Sequence, residues 1–240
     1  MAALLASGWL VEGWLDQVWA QPPRLPVTVT VEAGFVSRDV IVQELVGGVL
    51  VEDNTIADSG RLLVTVAVTP VAPLTLYLVG GGASLNLDEF GYNGNLDGIY
   101  GGGLTVTLYE SASRAPGLPG LSLFIDGRYL RFVTDDLVLV NAGGPPVSTT
   151  EEITWDETRM RFGAKGRYYG FQPYGGIELS WVRGNDRLEG FGSFDLREED
   201  SIGLFGGMLL PLDPRGRLFL FAEVNVIDEY ALRGGFVFAL

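Results

Sequence analysis

Ten ionisable residues stand at alternate positions of otherwise apolar segments, which makes them the side chains best placed to do chemistry. The acids are Glu32, Asp126, Glu178 and Glu223, and the bases are Arg128, Arg159, Arg161, Lys165, Arg167 and Arg233. In an extended chain, alternate residues point to the same side, so each charge shares a face with its neighbours two positions away. A buried charge without a partner is costly, so we expect these acids and bases to form ion pairs. The alternative is a narrow, weakly anion-preferring passage lined by the basic ladder from Arg159 to Arg167.

The composition excludes several classes of chemistry. The chain has no histidine and no cysteine, so it lacks the usual general base, the commonest metal ligand and any thiolate nucleophile. We therefore predict no catalytic, cofactor-binding or metal-ligating residue, no cofactor, and ion pairing rather than catalysis for Glu178 and Glu223. The formal net charge of −14 disfavours nucleic acid as a partner, because phosphate contacts need clustered lysine and arginine.

The polar and apolar residues alternate with a period of two from Val27 onwards. Val27, Val29 and Val31 share one face of the first segment, and nine further segments repeat the pattern up to Leu240. The sequence therefore predicts an all-β, transmembrane, up-and-down antiparallel β-barrel of about ten strands. Eight or twelve strands are the alternatives, since Val40–Val51 could form an extra hairpin above the membrane.

The connections between these segments alternate in length. Short turns are predicted at 70–73, 113–120, 170–172 and 213–216, and much longer loops at 38–60, 88–98, 134–153 and 184–200. Only the last connection on the long side, at Asp228–Glu229, is short. Short turns at one end and long loops at the other are typical of outer-membrane barrels, with both barrel termini at the short-turn, periplasmic end.

The last eight residues carry a motif. Arg233, Gly235, Phe238 and Leu240 follow the order polar, glycine, hydrophobic, hydrophobic at the spacing of the β-signal read by the barrel-assembly machinery, with leucine in place of the usual final aromatic residue. Together with the segments 101–104, 173–176 and 203–207, this octet resembles the outer-membrane β-barrel domain group that includes OmpA-type and opacity-type barrels. The resemblance spans 27–240 and implies the outer membrane of a Gram-negative bacterium, with its lipid and its assembly machinery as partners. It implies no particular activity, and the known barrel enzymes of that membrane rely on a histidine.

The N-terminal residues form a separate segment. Residues 1–23 are predicted to be a signal peptide, with a small-residue cleavage site before Gln21, or alternatively an amphipathic surface helix. The barrel is predicted to occupy 24–240.

The long loops are predicted to be acidic and to carry exposed aromatic residues. The acids are Glu52, Asp53, Asp58, Asp88, Glu89, Asp97, Asp135, Asp136, Glu151, Glu152, Asp156, Glu189, Asp195, Glu198, Glu199 and Asp200, and the aromatic residues are Phe90, Tyr92, Phe191 and Phe194. Such loops could recognise a protein partner. Trp155 and Trp181 at one interface, and Tyr168, Tyr174, Phe236 and Phe238 at the other, are predicted to form two aromatic belts.

The function predicted from the sequence is a non-enzymatic outer-membrane barrel with a structural, surface-interaction or envelope-anchoring role and a lumen closed by ion pairs. The alternative is a narrow channel for small solutes.

Overall fold

A computed structural model describes residues 26–240 apart from 47–48, 88–90, 112–119, 141–145, 169, 191 and 200. The predictions for the segment 1–23 and for Asp88, Glu89, Phe90, Phe191 and Asp200 therefore lie outside the described residues. Thirteen strands are described: β1 Val27–Val46, β2 Val49–Val71, β3 Leu74–Ala83, β4 Asn86–Leu87, β5 Tyr92–Asn93, β6 Asp97–Ser111, β7 Leu121–Val140, β8 Val147–Gly166, β9 Gln172–Leu188, β10 Gly192–Glu198, β11 Ile202–Pro211, β12 Leu218–Val226 and β13 Glu229–Ala239.

Ten of these strands form a closed antiparallel ring. Its order is β1, β2, β3, β6, β7, β8, β9, β11, β12 and β13. The ring closes where β1 pairs with β13, from Thr28 opposite Ala239 to Arg38 opposite Glu229. The predicted up-and-down barrel of ten strands is confirmed. The end that holds Val27 and Ala239 is called the turn end below, and the opposite end is called the loop end.

The two faces of the ring differ in polarity because side chains alternate along each strand. On β13, Leu232 is 63% exposed on the outer face while the neighbouring Arg233 is 5% exposed in the lumen. The outer face elsewhere carries exposed leucine, such as Leu78 at 73%. A closed ring satisfies the backbone hydrogen bonds of its strands internally, and an apolar band on its outer face suits contact with lipid. Within the described part of the chain, no helix is long and apolar enough to cross a membrane.

The wall extends beyond the ring at the loop end. Three of the four segments predicted to be long loops, 38–60, 134–153 and 184–200, are largely paired strand where they are described, so that prediction was wrong for them. The described part of 88–98 holds only β5 and the first two residues of β6. β1 and β2 stay paired up to Val46 opposite Val49, and β7 and β8 stay paired up to Val140 opposite Val147. β10 pairs with β9 on one side and with β1 on the other, so it bridges the gap above the shorter β11, β12 and β13. Residues 40–46 and 49–51 therefore continue the first hairpin. We call this extension the loop-end tier.

An apolar core fills the loop-end tier. Its buried members include Val40, Leu85, Leu87, Tyr92, Leu130, Phe132, Ile153, Trp155 and Leu196. Two predictions were therefore wrong. Trp155 is 2% exposed and stacks on Phe132, with ring centroids 6.0 Å apart, instead of lying in an outer belt. Tyr92 is also 2% exposed, and its hydroxyl lies 2.7 Å from Thr134 Oγ1, so it is not an exposed loop aromatic.

The other aromatic residues predicted to form belts lie on two different faces of the barrel wall. Trp181, Tyr168, Phe236 and Phe238 are 46%, 45%, 44% and 38% exposed. Tyr174 instead points into the lumen, where its hydroxyl donates to Glu223 Oε2 at 3.1 Å. Its assignment to a belt was wrong because the alternation of β9 puts Tyr174 on the same face as Glu178.

Candidate functional site

An ion-pair layer crosses the lumen where the ring meets the loop-end tier. It consists of the arginines Arg38, Arg61, Arg159, Arg161 and Arg233 and the glutamates Glu157, Glu178, Glu198, Glu223 and Glu229. These side chains come from inward positions of β1, β2, β8, β9, β10, β12 and β13. Because each strand contributes alternate residues, the layer forms only when the ring closes and the inward faces meet.

Arg159 lies at the centre of the ion-pair layer. Its Nη2 lies 2.8 Å from Glu157 Oε1 and 3.0 Å from Glu229 Oε2, and its Nε lies 3.2 Å from Glu178 Oε1. The side chain is 1% exposed. The guanidinium therefore links three strands, β8, β9 and β13, through charge-assisted contacts.

Two glutamates extend the ion-pair layer around the lumen. Glu229 also accepts from Arg38, from Arg233 at 2.7 Å and from the side-chain amide of Asn225 at 2.9 Å. Glu223 accepts from Arg161 at 2.8 Å and from Arg233 at 3.2 Å. Each carboxylate thus contacts more than one donor, which is the arrangement that offsets the cost of removing charges from water.

Ser180 joins two carboxyl groups at the loop-end edge of the ion-pair layer. Its Oγ lies 2.6 Å from Glu198 Oε1 and 2.9 Å from Asp228 Oδ2. A hydroxyl has one hydrogen to donate, so a second proton is needed on one of the carboxyls for both contacts to be hydrogen bonds. Burial raises the pKa of Glu198 to about 7, against the lowering effect of Arg38. The Arg38–Glu198 ion pair, at 2.9 Å, also ties β10 to β1.

The apolar core of the loop-end tier lies directly against the ion-pair layer. Leu130, Phe132 and Ile153 are 0% exposed. Arg61 connects the two layers, since its guanidinium carbon lies 5.7 Å from the Phe132 ring centroid while Nη2 contacts Glu157 at 2.9 Å. The lumen is therefore filled at two successive levels, first by ion pairs and then by apolar side chains.

A polar cavity of about 170 Å³ lies on the turn-end side of the ion-pair layer. It is lined by Thr30, Glu32, Thr65, Tyr77, Asp126, Arg128 and Arg161. Asp126 is held in its wall, because Thr105 Oγ1 donates to Oδ1 at 2.6 Å and the Tyr77 hydroxyl lies 3.1 Å from both carboxylate oxygens.

The ten residues named from the sequence fall in three places. Arg159, Arg161, Glu178, Glu223 and Arg233 are brought together in the ion-pair layer, whereas Glu32, Asp126 and Arg128 line the cavity.

Lys165 and Arg167 lie apart from both groups. Lys165 Nζ is 5.9 Å from the Phe124 ring centroid, nearer the turn end. Arg167 follows the end of β8, where its backbone nitrogen donates to Gly120 O at 3.2 Å. Arg167 thus lies one residue beyond the end of β8, and its place on the lumen face stays a prediction.

Five members of the ion-pair layer were not among the residues named from the sequence: Arg38, Arg61, Glu157, Glu198 and Glu229. Arg38, Glu198 and Glu229 were assigned to connections between strands, and Arg61 and Glu157 fell just before the predicted start of their strands. The signal was present for some of them. Glu157 has the same parity as Arg159 and Arg161 on β8, and Arg61 has the parity of Thr65 on β2.

The residues of the C-terminal octet have separate positions in and just after β13. Arg233 belongs to the ion-pair layer, Phe238 is exposed on the outer face, and the Leu240 backbone nitrogen donates to Val27 O at 3.0 Å. A Cβ on Gly235 would lie 2.0 Å from Val31 O, so β1 and β13 approach closely there. Their role as an assembly signal stays a prediction.

No protein-family model matches the sequence, and no curated protein matches it. Several solved structures are similar in fold. The outer-membrane protease OmpT from Escherichia coli has a TM-score of 0.49 at 10% identity, covering 92% of this chain and 99% of that chain. The translocator domain of the autotransporter NalP from Neisseria meningitidis has a TM-score of 0.41 at 13% identity, covering 96% and 93%. An outer-membrane channel from Pseudomonas putida F1 has a TM-score of 0.41 at 12% identity, covering 93% and 98%.

These similarities concern the fold alone. The ring of ten antiparallel strands, closed through β1 and β13 and apolar on its outer face, has by itself the architecture of an outer-membrane β-barrel.

Proposed function

We propose that this protein is a closed, non-enzymatic barrel of the Gram-negative outer membrane that holds its loop-end tier as a rigid platform at the cell surface. The observation that carries the proposal is the double filling of the lumen. Arg159, at 1% exposure in the ion-pair layer, and Phe132, at 0% in the apolar core, occupy successive levels of the same narrow interior.

The charges in the lumen favour closure over transport. A conducting pathway needs binding sites that ions can enter and leave, whereas Arg159 and Arg161 are each engaged by glutamates on neighbouring strands. Two members of the basic ladder considered from the sequence, Arg159 and Arg161, are therefore paired with carboxylates of the lumen. The same pairing, in a chain without histidine or cysteine, supports a role that does not involve catalysis.

The platform is suited to contact with another protein. At the far end of the β7–β8 hairpin, Leu137 and Leu139 are 75% and 71% exposed beside the acidic residues Asp135 and Asp136. Large apolar side chains exposed next to charges are common in protein-recognition surfaces. Outer-membrane lipid around the apolar band and the barrel-assembly machinery complete the proposed partners, and nucleic acid is not among them.

Conductance in a planar lipid bilayer tests the closure. We expect the inserted wild-type barrel to give no steady current steps. A variant that removes both fillings, with Phe132→Ala, Trp155→Ala and Arg159→Ala, serves as the matched control and should give measurable steps. Reproducible, ion-selective steps from the wild type would overturn the closed barrel and favour the narrow channel.

A further inference from the structure

The polar cavity on the turn-end side of the ion-pair layer exists because one half of the wall carries small inward side chains. On β1, β2 and β6 the inward positions near the cavity hold Thr30, Thr65, Gly101, Gly103 and Thr105, while β3 contributes the larger Tyr77. Further towards the turn end the same strands carry Thr28, Ala67, Thr75 and Thr107. Small side chains on this half leave space in the lumen.

The other half of the wall is filled at the same depth. Phe205 is 5% exposed and its ring centroid lies 6.3 Å from that of Phe124 and 6.4 Å from that of Tyr174. Gly163 makes room for this cluster, since a Cβ there would lie 2.6 Å from Phe124 and 2.9 Å from Phe205. The cavity therefore reflects an asymmetry of the lumen, and Arg161 is the one lining residue that it shares with the ion-pair layer.

Two oppositely charged side chains in the cavity have unused binding capacity. Glu32 has no ion pair or side-chain hydrogen bond to any described residue. Arg128 has a single loose contact, 3.9 Å from Glu157, whose carboxylate already has Arg61 at 2.9 Å and Arg159 at 2.8 Å. The Arg128 side chain is 13% exposed, against 1% for Arg159.

Glu32 and Arg128 lie on opposite walls. In the ring order, β1 and β7 are separated by three strands on one side and by five on the other. Thr30 and Thr65 form a cross-strand pair next to Glu32, and Asp126 is fixed near Arg128 by Tyr77 and Thr105. The cavity is thus lined by two acids, Glu32 and Asp126, and two bases, Arg128 and Arg161, with Glu32 and Arg128 on different walls.

We propose that this cavity binds a small zwitterion of amino-acid size, with the ligand's ammonium group at Glu32 and its carboxylate at Arg128. A volume of about 170 Å³ corresponds to roughly six waters, which is the space that such a molecule displaces. Binding at this site does not require the lumen to conduct.

The test is a calorimetric titration of the folded full-length barrel in detergent micelles with unbranched amino acids, from glycine to 6-aminohexanoate. Each is compared with the amine and the carboxylate of the same chain length. We expect saturable binding for at least one chain length, at least tenfold tighter than for either singly charged analogue. Absence of saturable binding across the series, or equal affinity for a singly charged analogue, would overturn the proposal.

Two variants locate the site. Glu32→Gln and Arg128→Gln should each weaken binding at least tenfold, whereas the matched changes Glu152→Gln and Arg131→Gln, on outer faces of the barrel wall, should leave the affinity unchanged. Thermal unfolding of each unliganded variant verifies that it is folded. Unchanged affinity in both lumen variants would show that the ligand binds elsewhere and would refute the assignment.

Discussion

Arg159→Met tests the energetic role of the ion-pair layer directly, because the substitution keeps an unbranched side chain and removes only the guanidinium. In the wild type, five arginines face five glutamates in the ion-pair layer. Removing the Arg159 guanidinium leaves the ion-pair layer with one more carboxylate than arginines, and the imbalance falls on the three glutamates that Arg159 contacts. Breaking a buried ion pair from one side costs about 3–5 kcal/mol. We expect the lower end, about 3 kcal/mol, since Glu157, Glu178 and Glu229 each keep another arginine.

A second substitution separates charge imbalance from lost packing. Arg159→Met combined with Glu178→Gln restores equal numbers of acids and bases while leaving the side-chain volumes nearly unchanged. Coupled residues of one network show interaction energies of about 0.5–3 kcal/mol. We therefore expect the double variant to recover about 1–2 kcal/mol of the loss.

The assay is equilibrium unfolding by urea in lipid vesicles, followed by tryptophan fluorescence. Arg131→Met on the outer face of β7 is the control, and we expect its unfolding midpoint to match that of the wild type, because the Arg131–Asp156 pair is largely exposed. A loss below about 1 kcal/mol for Arg159→Met, or a double variant less stable than the single one, would refute the reasoning.

Two further outcomes follow from the loop-end tier and from the lumen wall. Burial, aided by the nearby Asp186, raises the pKa of Glu151 to about 8, from an unfolded value of 4.5, so the folded carboxyl binds its proton more tightly. The protonated Glu151 carboxyl therefore contributes to the free energy of unfolding. This contribution is fully present below pH 4.5 and is lost as the pH rises through about 8. Amide exchange in the loop-end tier should accelerate over that range, and Glu151→Gln should flatten the dependence. In Gly103→Ala the new methyl group would lie 2.5 Å from the Tyr77 hydroxyl, and we expect a loss of about 1–3 kcal/mol in the same urea assay. Gly127→Ala meets nothing within 4 Å and should be neutral; an equal loss in both would contradict the packing argument.

Much of the ring could be predicted from the alternation of residue types. On β12, Glu223 and Asn225 alternate with Ala222 and Val224, and this local pattern determines which face meets lipid and which meets the lumen. Alternation did not reveal where strands end. β1 and β2 continue past Arg38 and Arg61 because each pairs with the other along its whole length, and that pairing is a contact between segments, not a local property.

The sequence by itself determined the class of the protein, the lumen-facing parity and the presence of acids and bases on that face, because these depend only on a period of two. Only the tertiary structure decided which charges meet. Glu229 and Arg159 are seventy residues apart and become partners through ring closure, and Glu198 joins Arg38 only because β10 crosses above three shorter strands. The same ring closure placed Glu32 and Arg128 in the lining of a cavity. Alternation could not predict this, because cross-strand register and side-chain size set the distances inside a barrel.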